Sequence, residues 1–145
     1  MEERDIKDRA RHLMEQHPVA VFGTIDDQGF PHLRPMYTLE IGDDFTVYFA
    51  TGRDLLKAKQ IAANPKISLT WSAYSEDMAR WSHAQIKGLA TITDNEELRH
   101  RLWIDEFERY FPGGKDDPNY VILVVKPREM LFTDDHTYPP YEVGF

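Results

Sequence analysis

Near the start of the chain, Ile6, Ala10, Leu13 and Met14 recur at helical spacing in a charged background. That stripe predicts an amphipathic helix lying across the fold as a lid, ended by Pro18, whose ring cannot continue it. The period then changes. Residues 19–25 are β-rich, Asp26-Asp27-Gln28-Gly29 is a turn, residues 32–40 are extended, Gly42-Asp43-Asp44 turns again, and residues 45–51 make a third strand. Turns this short predict an antiparallel meander, because parallel neighbours need crossovers of about a dozen residues or more.

Residues 55–63 return to helical spacing, with Leu55, Ala58, Ala62 and Ile61 as inward candidates, and Asn64-Pro65 stops them before a strand at 66–71. A polar loop at 72–80, flanked by Trp71 and Trp81 as rim packing or as lining of a substrate pocket, leads into a long strand at 81–93. Gly88 sits inside that strand, where a bulge, a bend or a close backbone approach favours a residue without Cβ. Asp94-Asn95-Glu96-Glu97 reads as a capping box with Asp94 at the cap. It opens a helix striped with Leu98, Leu102, Trp103, Phe107, Tyr110 and Phe111, ended by Pro112-Gly113-Gly114. A mostly β-branched run at 120–125 is closed by Lys126-Pro127, and a short last strand is expected at 129–132. Residues 133–145, polar and proline-containing, read as a loose tail or an arm laid over a neighbouring subunit.

A length of 145 residues fits one compact domain spanning 1–145, with a core that needs no metal or disulfide. Hydrophobic residues at 41% and aromatic residues at 12% exclude a disordered chain. Seventeen basic against 25 acidic residues leave a formal charge of -8, which repels phosphate backbones and anionic lipid. Nucleic acid and membranes are therefore not expected as partners. The absence of cysteine removes disulfides, thiolate metal sites and thiol nucleophiles, and fits a reducing cytoplasm. The charged start, Met1-Glu2-Glu3-Arg4-Asp5, is unlike a signal peptide, and no run of about 18 apolar residues occurs, so a soluble cytoplasmic protein is predicted. Histidines at 12, 17, 32, 83, 100 and 136 lack zinc-type spacing, and no metal site is predicted.

One segment departs from the acidic background. Between Thr51 and Lys66 stand Arg53, Lys57, Lys59 and Lys66 against Asp54 alone. Thr51 and Gly52 end a strand and offer a hydroxyl and backbone N–H groups, while Lys57 falls in the first turn of the next helix. That arrangement suits a small anion; equally, such cations solvate a helix face.

The order of motifs narrows the choice. Val19-Ala20-Val21-Phe22-Gly23-Thr24-Ile25 runs on through Asp26-Asp27-Gln28-Gly29-Phe30-Pro31-His32 to Arg34-Pro35-Met36. Val47-Tyr48-Phe49-Ala50-Thr51-Gly52, Lys57-Ala58 and Asn64-Pro65-Lys66-Ile67-Ser68-Leu69 follow, then Ile86-Lys87-Gly88-Leu89-Ala90 and Asp117-Pro118-Asn119-Tyr120. This succession, over 18–127, resembles the pyridoxamine 5'-phosphate oxidase-like flavoproteins. The resemblance implies a mainly β fold with peripheral helices, a six- to seven-stranded antiparallel split β-barrel of the FMN-binding type. It further implies a homodimer with FMN at the subunit interface.

Carried over by position, the resemblance gives Arg34, Thr51 and Lys57 to the FMN phosphate. It places Pro35, Met36, Tyr37 and Thr38 beside the isoalloxazine ring, largely through backbone groups, and turns His83 toward the flavin. Two departures stand out. Leu55 and Leu56 replace a polar pair that helps with the phosphate, which predicts a weaker grip. The carboxyl-terminal tryptophan and arginine of the biosynthetic oxidase have no match, and its substrate lysine falls near Leu39, so that vitamin-making activity is not expected. What remains is an FMN-dependent oxidoreductase acting on a small molecule, with no catalytic side chain assigned. Its rivals are a non-enzymatic flavin-binding or redox-sensing dimer, a related deazaflavin- or haem-binding barrel, and a structural dimer without cofactor.

Overall fold

The computed structural model describes residues 1–145. The lid helix is α1 (Glu3–Gln16), with Ile6, Ala10, Leu13 and Met14 buried as their spacing predicts. Four strands follow: β1 (Val19–Ile25), β2 (Pro31–Tyr37), the two-residue β3 (Glu40–Ile41) and β4 (Val47–Gly52). Helix α2 (Leu56–Ala63) leads to β5 (Lys66–Tyr74), β6 (Trp81–Thr93), α3 (Glu96–Arg101), β7 (Tyr120–Thr133) and β8 (Tyr141–Gly144). No helix is long and apolar enough to cross a membrane.

All ladders are antiparallel, in the order β2-β1-β5-β6-β7-β4-β3, with β8 paired to β7. Three strands lie between β1 and β4 in that order, yet the rings of Phe22 on β1 and Phe49 on β4 meet edge-on at 5.4 Å. The sheet therefore curls on itself into a half-barrel. The alternation of β1 explains which side closes: Ala20 and Phe22 are buried inside, whereas Val19 and Val21 face out.

Trp71 on β5 lies wholly in this core rather than at a rim, and its indole Nε1 donates to Thr38 Oγ1 at 2.9 Å. The ring fills volume while its one polar atom is satisfied. Trp71→Phe is expected to cost about 1–3 kcal/mol in urea unfolding, since the Thr38 hydroxyl then loses its buried donor.

Three expected elements differ. The aromatic helix is broken: α3 ends at Arg101, Ile104 is extended, and a 3₁₀ turn covers Asp105–Arg109. Trp103 and Phe111 both pack on Tyr120, with ring centroids at 5.1 and 5.2 Å. A continuous helix would hold those two rings about 12 Å apart along its axis. Clustering around one tyrosine wins over helical continuity. The cap is Asn95, whose side chain accepts from the Leu98 N–H at 2.9 Å, one residue later than the Asp94 expected from sequence.

The carboxyl-terminal residues are neither loose nor extended away. β8 pairs with β7, Val143 is buried, and the Phe145 ring lies 5.6 Å from that of Phe45. β7 itself is one continuous strand where two were expected, because a bulge opposite Gly88 carries it past Pro127. Finally, α2 buries Ala58, Gln60 and Ile61, leaving Leu55 and Ala62 exposed.

Candidate functional site

Arg34 and Lys57 are far apart in sequence and meet through the curl of the sheet. On β2, Arg34 sits opposite Phe22 of β1, on the same side as the buried Met36. Its guanidinium is half-buried and donates to the Phe22 carbonyl at 3.2 Å, to Gln60 Oε1 at 3.2 Å and to His32 Nδ1 at 2.9 Å. None of the three acceptors is a carboxylate. Lys57 lies in the first turn of α2, a helix without a side-chain N-cap.

Neither cation has a carboxylate partner among the ion pairs of the chain. Burial, and then repulsion from Arg34, hold the Lys57 ammonium below the ordinary lysine range. Burial likewise lowers the Arg34 guanidinium. Near the strand end that precedes α2, Thr51 is buried and its Oγ1 has no hydrogen-bond partner. Two cations without a carboxylate partner, beside a strand end whose threonine hydroxyl has no hydrogen-bond partner, are the chemistry of an anion cradle.

The remaining expected residues divide by face. Met36 and Thr38 are buried, and the Thr38 hydroxyl is already committed to Trp71. Pro35 and Tyr37 project outward from β2. His83 is not brought to the Arg34–Lys57 pair. It lies on the outward side of β6, opposite the face that carries the buried Ala84 and Ile86, three positions from β2 in the sheet order. At about 4.8 Å per strand that is roughly 14 Å across the sheet. Its ring stacks on Trp81 at 4.8 Å, its Nδ1 is buried and unpartnered, and burial pushes its pKa down, favouring the neutral imidazole.

Gln60 and His32 were missed from sequence. Gln60 is buried, accepts from both the Thr24 hydroxyl and Arg34, and so fixes the guanidinium. Its one signal was position, three residues after Lys57 and hence on a neighbouring part of the same helix face.

Comparison with known proteins bears on these residues together. Residues 6–134 match the family model described as pyridoxamine 5'-phosphate oxidase. General stress protein 26 of Bacillus subtilis (strain 168) is 32% identical over 130 residues, covering 90% of this chain and 89% of that protein. Among solved structures, general stress protein 26 from Bacillus anthracis superposes with a TM-score of 0.80 at 21% identity, over 97% of this chain and 98% of that one. A heme binding protein from Mycobacterium smegmatis shares the fold with a TM-score of 0.76 at 14% identity, over 96% of this chain and 57% of its own. The half-barrel is thus the split-barrel architecture that the sequence resemblance implies. With nearly its whole length matched, from α1 to the end of β7, the chain belongs to the pyridoxamine 5'-phosphate oxidase family.

Proposed function

We propose that this chain binds FMN by its phosphate between β2 and the start of α2, and acts as a flavin-dependent oxidoreductase on a small molecule. The observation that carries the reading is the Arg34–Lys57 pair: two half-buried, mutually repelling cations without a carboxylate, in a protein of charge -8. Such a pair is costly unless a third group compensates it. A phosphate dianion does so, taking the planar fork of Arg34 and the point charge of Lys57, with the orphaned Thr51 hydroxyl as a further donor.

Bound there, the flavin supplies two-electron chemistry, and the protein contributes anchoring and orientation. Gln60 and His32 hold Arg34 in place. Because Met36 and the Thr38 side chain are buried, with the Thr38 hydroxyl accepting from Trp71, this stretch offers a ring mainly backbone groups.

A homodimer completes the reading. The outer side of the β1–β2 hairpin pairs Val19 with Tyr37 and Val21 with Pro35. Val19, Val21 and Tyr37 are 57%, 44% and 55% exposed, an apolar strip that a second copy would cover. His83 and Arg34 face opposite sides of one sheet, so a molecule touching both would be shared by two copies. The cysteine-free composition accords with a cytoplasmic setting.

The test is titration of the purified protein with FMN, followed by steady-state flavin turnover with candidate donors. Saturable binding with sustained turnover is the expected result; binding without turnover leaves a flavin-binding module, and absence of binding overturns the proposal. A pH series gives a second check. FMN affinity is expected to hold at neutral pH and to fall as pH rises through the depressed Lys57 pKa, where the ammonium is lost.

A further inference from the structure

The geometry points to a second anion site, on the outer face of the sheet, that takes a small molecule with a flat apolar body and one anionic group. A groove of about 510 Å³ runs across β1, β2, β5 and β6. Strand register builds its floor: Leu33 stands opposite Gly23, Gly23 opposite Ser68, and Ser68 opposite Lys87, a single row across four strands. Lys66 and Leu89 form the adjacent pair on the same face. Gly23 keeps this floor low, since a Cβ there would lie 3.0 Å from Leu33 Cδ2.

The third cation arrives by a different route. The β6–β7 ladder passes from Lys87 opposite Glu129 to Gly88 opposite Pro127, which leaves Arg128 as the extra residue of a bulge. Bulges re-aim side chains, and this one adds Arg128 to the groove lining. Lys66, Lys87 and Arg128 are therefore gathered by three separate features of the chain: a strand start, a strand interior and a bulge.

The charge balance is one-sided. No carboxylate lines the groove. None of the three cations takes part in an ion pair, and Glu129, across the ladder from Lys87, pairs with none of them. Cations that merely solvate a surface are ordinarily interspersed with acids, all the more in a chain with 25 of them. Leu33 and Leu89 add an apolar wall, and the volume lies in the range of about 300–1,000 Å³ typical of small-molecule pockets. The three cations and the apolar wall together select an aromatic or alkyl phosphate, sulfonate or carboxylate. Leu33 and Arg34 are sequence neighbours on opposite sides of β2, so this site and the phosphate cradle lie back to back and fill independently.

The experiment is calorimetric titration of the full chain, saturated with FMN, with 1-naphthyl phosphate. Saturable binding is expected, weakened at least about 10-fold by Lys66→Glu or Lys87→Glu and unchanged by Lys57→Met. Uncharged 1-naphthol and ringless inorganic phosphate are each expected to bind at least about 10-fold more weakly than the probe. Absence of binding, competition between the probe and FMN, or equal affinity for inorganic phosphate would each overturn the site. Both lysines are exposed, so their reversal leaves the fold intact. Should FMN fail to bind while 1-naphthyl phosphate titrates as described in its absence, the flavin reading falls and the groove stands.

Discussion

Lys57→Met is expected to weaken FMN binding by about 10- to 100-fold while raising the melting temperature of the ligand-free protein. The first effect follows from losing a charge-assisted bond to phosphate, worth about 1.5–3 kcal/mol, where each factor of ten corresponds to about 1.4 kcal/mol. The second follows from the lowered Lys57 pKa, caused first by burial and then by Arg34. An unfolded chain relieves both penalties, so the charged lysine opposes folding at every pH below its depressed native pKa. That penalty fades as pH rises from the native value toward the ordinary 10.5. Methionine keeps the apolar stem and removes the charge. A cation placed for stability would behave oppositely. Unchanged FMN affinity with a lower melting temperature would remove Lys57 from the site.

Gly88→Val should have the largest effect on the fold. A Cβ at this position would stand 2.2 Å from the Lys126 carbonyl oxygen, 3.0 Å from its carbon and 3.1 Å from the Pro127 Cα. All three are backbone atoms, so no side chain can swing aside, and the two longest strands of the sheet must separate at the bulge. We expect a loss of about 4 kcal/mol or more, comparable to the most damaging single substitutions. For a chain of this size that is roughly 8–16 °C in melting temperature. Gly144→Ala, where a Cβ meets nothing within 4 Å, is the control and should stay within about 0.5 kcal/mol. Equal melting temperatures for the two variants would contradict this account of Gly88.

Gly88 illustrates what is legible in a sequence of this kind. A glycine inside a run that otherwise reads as strand has few physical explanations, and close backbone approach was among them. The stripe of α1 and the alternation of β1 were legible for the same reason, because burial on one face imposes a period of its own. Where several local solutions share one pattern, the sequence alone misleads. Asp94 and Asn95 are both good caps, and only the bond to Leu98 N–H decides between them. The spacing of Trp103, Phe107 and Phe111 fits a helix, yet Tyr120 draws those rings together from a distant strand.

β8 was invisible for a related reason. Its four residues have no persuasive pattern, and they are a strand because β7 offers an open edge. In the proposed site, Lys57 and Thr51 were singled out by their placement where a strand gives way to a helix. Gln60 was not, because a buried acceptor and a solvated one are the same letter in the chain. The opposed directions of Arg34 and His83 became visible only once strand order was known.

One edge of β7 carries two different partners in succession. β4 holds its first part, from Tyr120 to Val125, and β8 its last, from Glu129 to Phe132. Between them lies Pro127, which has no N–H to donate and falls where neither ladder asks for one. The two halves of the edge are consequently fastened by separate zips on a common rail. Fraying that starts at Phe145 stops at the proline, leaving β4 and the helix it feeds in register. Damage to the end of the chain and loss of the Arg34–Lys57 arrangement are thus separable events in the life of this molecule.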